Sequence, residues 1–135
     1  MEGLFASLTI TAWTTVVLAS WMMVLTSRVI FSRRTQKVGY GDGGDHDFKK
    51  RIRGHANAAE QVPISLILLA LCELGGVPTG VVLSLAGLLI AGRLVHGAYF
   101  SWAGMPFQMR TLGMGFTLLA QGLLILTLLW VLLTA

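Results

Sequence analysis

The stretch Arg53-Gly-His-Ala-Asn-Ala-Ala-Glu-Gln-Val-Pro63 runs without a break into Ile64-Ser-Leu-Ile-Leu-Leu-Ala-Leu71. At about 100° per residue, positions 53, 57 and 60 of a helix fall within about 60° of one another, and Lys49 falls on the same side. A cation, an amide and an anion therefore form one polar stripe that starts at a water boundary and enters a segment suited to hydrocarbon. Ionisable groups at such depth cost roughly 2.5–3.5 kcal/mol each on insertion scales, so they are retained where they pair or act. Arg53, Asn57 and Glu60 together suit a zwitterionic ligand. His55 points about 160° from the stripe, which directs it to a neighbouring helix rather than to that ligand.

Outward from this stripe the chain is apolar throughout. Hydrophobic residues make up 55% of the 135, with a mean hydropathy of +0.75. That places the bilayer as solvent and predicts an all-α integral membrane protein of one domain, residues 1–135. Four segments, about residues 4–31, 52–74, 77–100 and 111–134, are long enough for a hydrocarbon core of about 30 Å. The first lacks the basic n-region and small-residue cleavage site of a signal peptide. A long polar loop is expected over about residues 32–50. The single Cys72, inside an apolar run, excludes an intrachain disulfide framework and reads as a small buried hydrophobe.

Eight of the ten Lys and Arg residues lie from Arg28 to Arg53; Arg93 and Arg110 are the others. The connection Glu73-Leu-Gly-Gly-Val-Pro-Thr79 has no cation, and Glu2 is the one charge near the start. The positive-inside rule then places the long first loop and the third connection in the cytoplasm and both termini outside. The basic balance thus reports topology, which removes the main reason to expect nucleic acid as a partner. Four short-looped helices offer little interior for a polar stripe, so assembly with further subunits is expected.

The stripe continues on the third span, where Arg93 and His96 are one turn apart and Tyr99 follows. Arg110 opens the fourth span at the same level, and Arg33 and Arg34 close the first. Most of the remaining cations are accounted for by contact with lipid headgroups. Glu60 has a purely structural reading only as counter-ion to Arg53 or Arg93, and Asn57 has one as helix-packing glue. Gly39-Tyr-Gly-Asp-Gly-Gly44 satisfies the letter of G-x-G-x-x-G, yet it follows an apolar helix instead of a strand and reads as a turn. Asp45-His-Asp47 reads as a solvated loop, and no metal site is expected.

At Arg53 to Pro63 the sequence resembles the MAPEG family, the membrane proteins of eicosanoid and glutathione metabolism, whose second helix carries a similar Arg-x-His-x-Asn-x-x-Glu pattern followed closely by Pro. Arg33-Arg-Thr-Gln-Lys37, Gly92-Arg-Leu-Val-His96 with Tyr99, and Arg110 match in the same order. The Tyr-Gly-Asp-Gly-Gly loop after Val38 is similar to the compact bacterial branch, which implies an inner-membrane location. The resemblance implies a four-helix bundle assembled as a homotrimer, with glutathione as co-substrate at subunit interfaces near the cytoplasmic face. Carried over by position, Arg33, Arg53, Asn57, Glu60, Arg93, His96, Tyr99 and Arg110 would line that site. Arg110 would stabilise the thiolate, and a lipophilic electrophile or lipid hydroperoxide would arrive from the membrane lipids.

Two other classes fit parts of the chain. One is a membrane protein that binds lipid or glutathione without turnover. The other is a small proton-coupled exporter using Glu60, against which stand the strong Lys/Arg bias and the Arg and Asn neighbours of that carboxylate.

Overall fold

The computed structural model describes Gly3 and residues 7–134. The start of the first predicted span, at Leu4, and the charge at Glu2 lie outside the described residues. Four helices follow in order: α1 (Thr9–Gln36), α2 (His46–Leu74), α3 (Thr79–Ser101) and α4 (Phe107–Thr134). Each is long and apolar enough to cross a membrane, and no strand occurs among the described residues.

The first connection is shorter than the expected loop over residues 32–50, because helix consumes both of its ends. Ser32 and Thr35 continue α1, their hydroxyls donating back to the carbonyls of Arg28 at 2.9 Å and Phe31 at 2.8 Å. The helix closes at Lys37, whose left-handed φ of 54° lets Lys37 and Val38 donate to the last carbonyls. On the other side the Asp45 carboxylate accepts from the Phe48 N–H at 2.5 Å and starts α2 at His46. The loop pair Asp45–Asp47 thus contains a helix cap. The fourth helix likewise begins at Phe107, directly after Pro106, so Arg110 sits inside its first turn.

Packing is closest between α3 and α4, and glycines make that approach possible. A Cβ on Gly92 would stand 2.8 Å from the backbone nitrogen of Thr117, and one on Gly113 would stand 2.7 Å from the Cα of His96. Around this contact, Leu18, Val62, Leu89 and Ala120 form one buried cluster. Leu69, Cys72, Leu85 and Leu124 belong to a second, nearer the turn between α2 and α3. Cys72 is fully buried, as its apolar surroundings in the sequence suggest. Many large apolar side chains instead face outward, among them Met23, Phe31, Ile67, Leu118 and Leu133. Such a surface is stable in hydrocarbon and a liability in water.

Two polar contacts tie the bundle together away from the cationic end. The Glu73 carboxylate, at the end of α2, accepts from the backbone N–H groups of Ile10 and Thr11 at 2.9 and 2.8 Å and from the Thr11 hydroxyl at 2.7 Å. It thereby caps the start of α1, where a negative charge is favoured. Near Pro63, which lies inside α2 and lacks a donor, Gln121 of α4 donates to the Ser65 hydroxyl at 2.8 Å and to the Gln61 carbonyl at 3.3 Å.

Candidate functional site

The polar stripe of α2 opens onto a cavity of about 940 Å³ bounded by α2, α3 and α4. Arg53, Asn57 and Glu60 line it from α2, His96, Tyr99 and Phe100 from α3, and Phe107 and Arg110 from α4. Lys49 and Lys50 stand at its rim, with the Lys50 ammonium 3.8 Å from the centre of the Tyr99 ring. Six of the eight residues marked from sequence are brought together here: Arg53, Asn57, Glu60, His96, Tyr99 and Arg110. The volume is at the upper end of the usual range for small-molecule sites, roughly 300–1,000 Å³.

Arg93 is not in the lining. Its side chain is buried behind Asn57, because α3 turns that face toward α4. Nε donates to the Thr117 hydroxyl at 2.9 Å, Nη1 donates to the Asn57 carbonyl oxygen at 3.0 Å, and Nη2 lies 3.9 Å from the Met114 sulfur. The consequence for Asn57 is chemical. Its oxygen is turned to Arg93, which fixes the orientation of the amide and leaves the NH2 group to donate. Asn57 is therefore helix-packing glue and a wall of the cavity at once.

Arg33 is also elsewhere. Its Nη1 donates to the carbonyls of Gly39 and Gly41, both at 3.3 Å, and its guanidinium lies over the Phe48 ring. The turn of α1 that carries Arg33 faces its own loop, so this cation does not reach the cavity of its own subunit. His55, read from sequence as facing away, meets Thr26 of α1 with Nε2 3.0 Å from the hydroxyl.

The charges in the cavity are mostly uncompensated. Among the described residues, Arg53, Lys50 and Arg110 have no carboxylate within 4.0 Å, and Glu60 pairs with neither Arg53 nor Arg93. Lys49 stands 3.9 Å from Asp42. Arg110 lies over two aromatic faces, 5.4 Å from the centre of Phe107 and 5.9 Å from that of Phe100. Its backbone carbonyl accepts from His96 Nδ1 at 3.1 Å. The cavity thus offers several cationic donors, one amide donor and one carboxylate.

A family model described as the MAPEG family matches residues 11–130. The chain belongs to the MAPEG family. It is also similar to the inner membrane protein YecN of Escherichia coli (strain K12) and of Escherichia coli O6:H1. Each is 36% identical over 109 residues, covering 81% of this chain and 82% of theirs. Family membership accords with an all-helical chain of four helices apolar enough to span a membrane.

Two features of this region are missing from the sequence reading. The role of Thr117 depends on the register of α4 against α3, which no local pattern reports. The close approach at Gly92 and Gly113 has a weak signal, since small residues mark tight helix contacts in membranes.

Proposed function

We propose that this protein is a glutathione-dependent transferase or peroxidase acting on lipophilic electrophiles or lipid hydroperoxides. The observation that carries this reading is the charge inventory of the cavity: among the described residues, Arg53, Lys50 and Arg110 have no carboxylate within 4.0 Å and Glu60 has no cation within that distance. Glutathione offers two carboxylates, one ammonium and one thiol. Guanidinium forks bind carboxylates by charge-assisted, often bidentate bonds, the Asn57 NH2 group adds a neutral donor, and Glu60 suits the ammonium.

The reacting species is the thiolate, and a free thiol ionises near pH 8.5. A guanidinium beside it lowers that value by roughly 1–3 units. Arg110 takes this role because it lies in the first turn of α4, where the positive helix end acts in the same direction. In transfer, the sulfur forms a bond to an electrophilic carbon while the leaving group departs with its electron pair. In hydroperoxide reduction, the thiolate sulfur attacks the peroxide and breaks its O–O bond, giving glutathione sulfenic acid and, after protonation, the lipid alcohol; a second glutathione thiol then forms the disulfide as water leaves. The aromatic floor at Phe100 and Phe107 suits the apolar part of the second substrate.

The homotrimer, with its cationic end in the cytoplasm and both termini outside, belongs to the same reading, as does a place in a bacterial inner membrane. One consideration supports assembly: the cavity is open on the surface of one subunit, so a neighbouring copy can complete it. Adding glutathione to the purified protein at neutral pH should produce the ultraviolet absorbance of a thiolate. In Arg110→Ala that signal should disappear while glutathione still binds. A full signal in the variant removes Arg110 from the chemistry, and no thiolate in the natural protein reduces the function to binding.

A further inference from the structure

A second cationic cluster lies on the opposite side of α2 from the cavity. Arg51 is two residues from Arg53, and the helical pitch of about 100° per residue turns it away from the stripe, toward α1. There its Nη1 donates to the Ser32 hydroxyl at 2.7 Å. Ser32 is one turn beyond Arg28 on the same face of α1. The Arg28 guanidinium lies over the Trp102 ring, 4.8 Å from its centre, and Trp102 stacks on Trp21 at 5.8 Å.

Arg28 is incompletely satisfied. Its Nε is buried and has no hydrogen-bond partner among the described residues. Its charge is close enough to Arg51 for the two to repel, and among the described residues no carboxylate stands within 4.0 Å of either. Two neighbouring like charges, one of them stacked on an aromatic face and the other held by a hydroxyl, repel each other until an anion joins them. A guanidinium whose face is covered by an indole still presents its edge, and that edge matches the oxygens of a phosphate. The cluster sits at the basic end of the bundle, roughly two turns inside the end of α1, where lipid phosphates meet the hydrocarbon and tryptophans gather.

We propose that Arg28 and Arg51, the latter held in place by the Ser32 hydroxyl, with Trp102 as a wall, form a seat for the phosphodiester of an anionic phospholipid. The phosphate bridges the two guanidiniums, and its acyl chains run down the exposed apolar face of α1. Surface cations attract anionic lipid diffusely; this seat differs in requiring both arginines together. It stands independently of the glutathione reading, since it shares none of the cavity's residues.

The test is native mass spectrometry of delipidated protein in detergent, titrated with phosphatidylglycerol or with phosphatidylcholine. The protein should retain phosphatidylglycerol at least tenfold better, and Arg28→Gln or Arg51→Gln should abolish that preference. Arg34→Gln, which removes an exposed charge from the same end but outside the seat, should leave it intact. Circular dichroism establishes that each variant is folded, and Arg51→Lys retains charge without the fork and should show intermediate retention. Equal retention of the two lipids, or a loss in Arg34→Gln as large as in Arg28→Gln, would overturn the proposal. Complete displacement of phosphatidylglycerol by millimolar inorganic phosphate would likewise overturn it, by assigning the seat to a free anion.

Discussion

His96 holds the backbone of Arg110: its Nδ1 lies 3.1 Å from the Arg110 carbonyl oxygen. A carbonyl only accepts, so Nδ1 carries the proton, and in the neutral ring Nε2 is left as an acceptor. This bond joins the end of α3 to the first turn of α4 at the residue proposed to meet the thiolate. His96→Phe keeps a ring against Phe100 but removes the donor. A neutral hydrogen bond is worth about 1 kcal/mol, so the thiolate fraction of bound glutathione should fall roughly fivefold. His96→Asn, whose amide places a donor near the position of Nδ1, should restore part of it. An unchanged thiolate absorbance in His96→Phe would detach this histidine from the chemistry.

The link between Arg93 and Asn57 predicts a coupled effect on binding. Arg93 is buried and contributes through Asn57, so removing either should weaken glutathione binding, and removing both should add little. A double-mutant cycle with Arg93→Met and Asn57→Ala, read by calorimetric titration with glutathione, should give a coupling of about 0.5–3 kcal/mol. Additive losses would mean that Arg93 reaches the ligand by another route.

Much of this arrangement is legible in the residues themselves. The four apolar runs and the cation-free turn from Glu73 to Thr79 locate the helices, and the period of α2 puts Arg53, Asn57 and Glu60 on one face and His55 on another. Arg33 and Arg93 stay out of the cavity of their own subunit for one reason. A helix period tells which residues share a face, but not what that face meets. Arg93 and His96 are neighbours on α3, yet only the register of α4 decides that Arg93 is buried against Thr117 while His96 reaches the cavity. Arg33 likewise lies at the expected level, but the loop carbonyls of Gly39 and Gly41 draw it aside. Polar composition also marked residues 32–36 as loop, although serine and threonine continue a helix once their hydroxyls bond back to it.

Glu73 reads in sequence as part of a turn, and its partners lie more than sixty positions upstream. Three donors converge on its two oxygens, so Glu73→Ala leaves the first N–H groups of α1 without this acceptor. Bonds to a charged group are worth about 1.5–3 kcal/mol. Glu73→Ala should therefore lower the thermal unfolding midpoint in detergent by several degrees, and Glu73→Gln, which keeps one oxygen, by less. Neither change is near the cavity, so glutathione affinity in the folded fraction should be preserved. Equal midpoints in all three proteins would show that the cap contributes nothing to stability.

The glycine contact between α3 and α4 supplies a test that joins packing to function. A Cβ on Gly113 would meet the His96 Cβ at 2.8 Å and its Cα at 2.7 Å. These are atoms near the base of a side chain and of the backbone, which cannot swing aside. Gly113→Ala must therefore separate the helices where His96 bonds Arg110, and overpacking of this kind costs about 1–3 kcal/mol. Gly122, on the same helix, has nothing within 4 Å of an added Cβ. There Gly→Ala should be neutral or stabilising, because alanine loses less conformational freedom in a helix. The expected pattern is a lower unfolding midpoint and a weakened thiolate signal in Gly113→Ala, with both retained in Gly122→Ala. If Gly113→Ala lost stability but kept its thiolate, the spacing of α3 and α4 would matter for the bundle alone. If both properties fell, the approach that only glycine permits would be what sets Arg110 over the cavity.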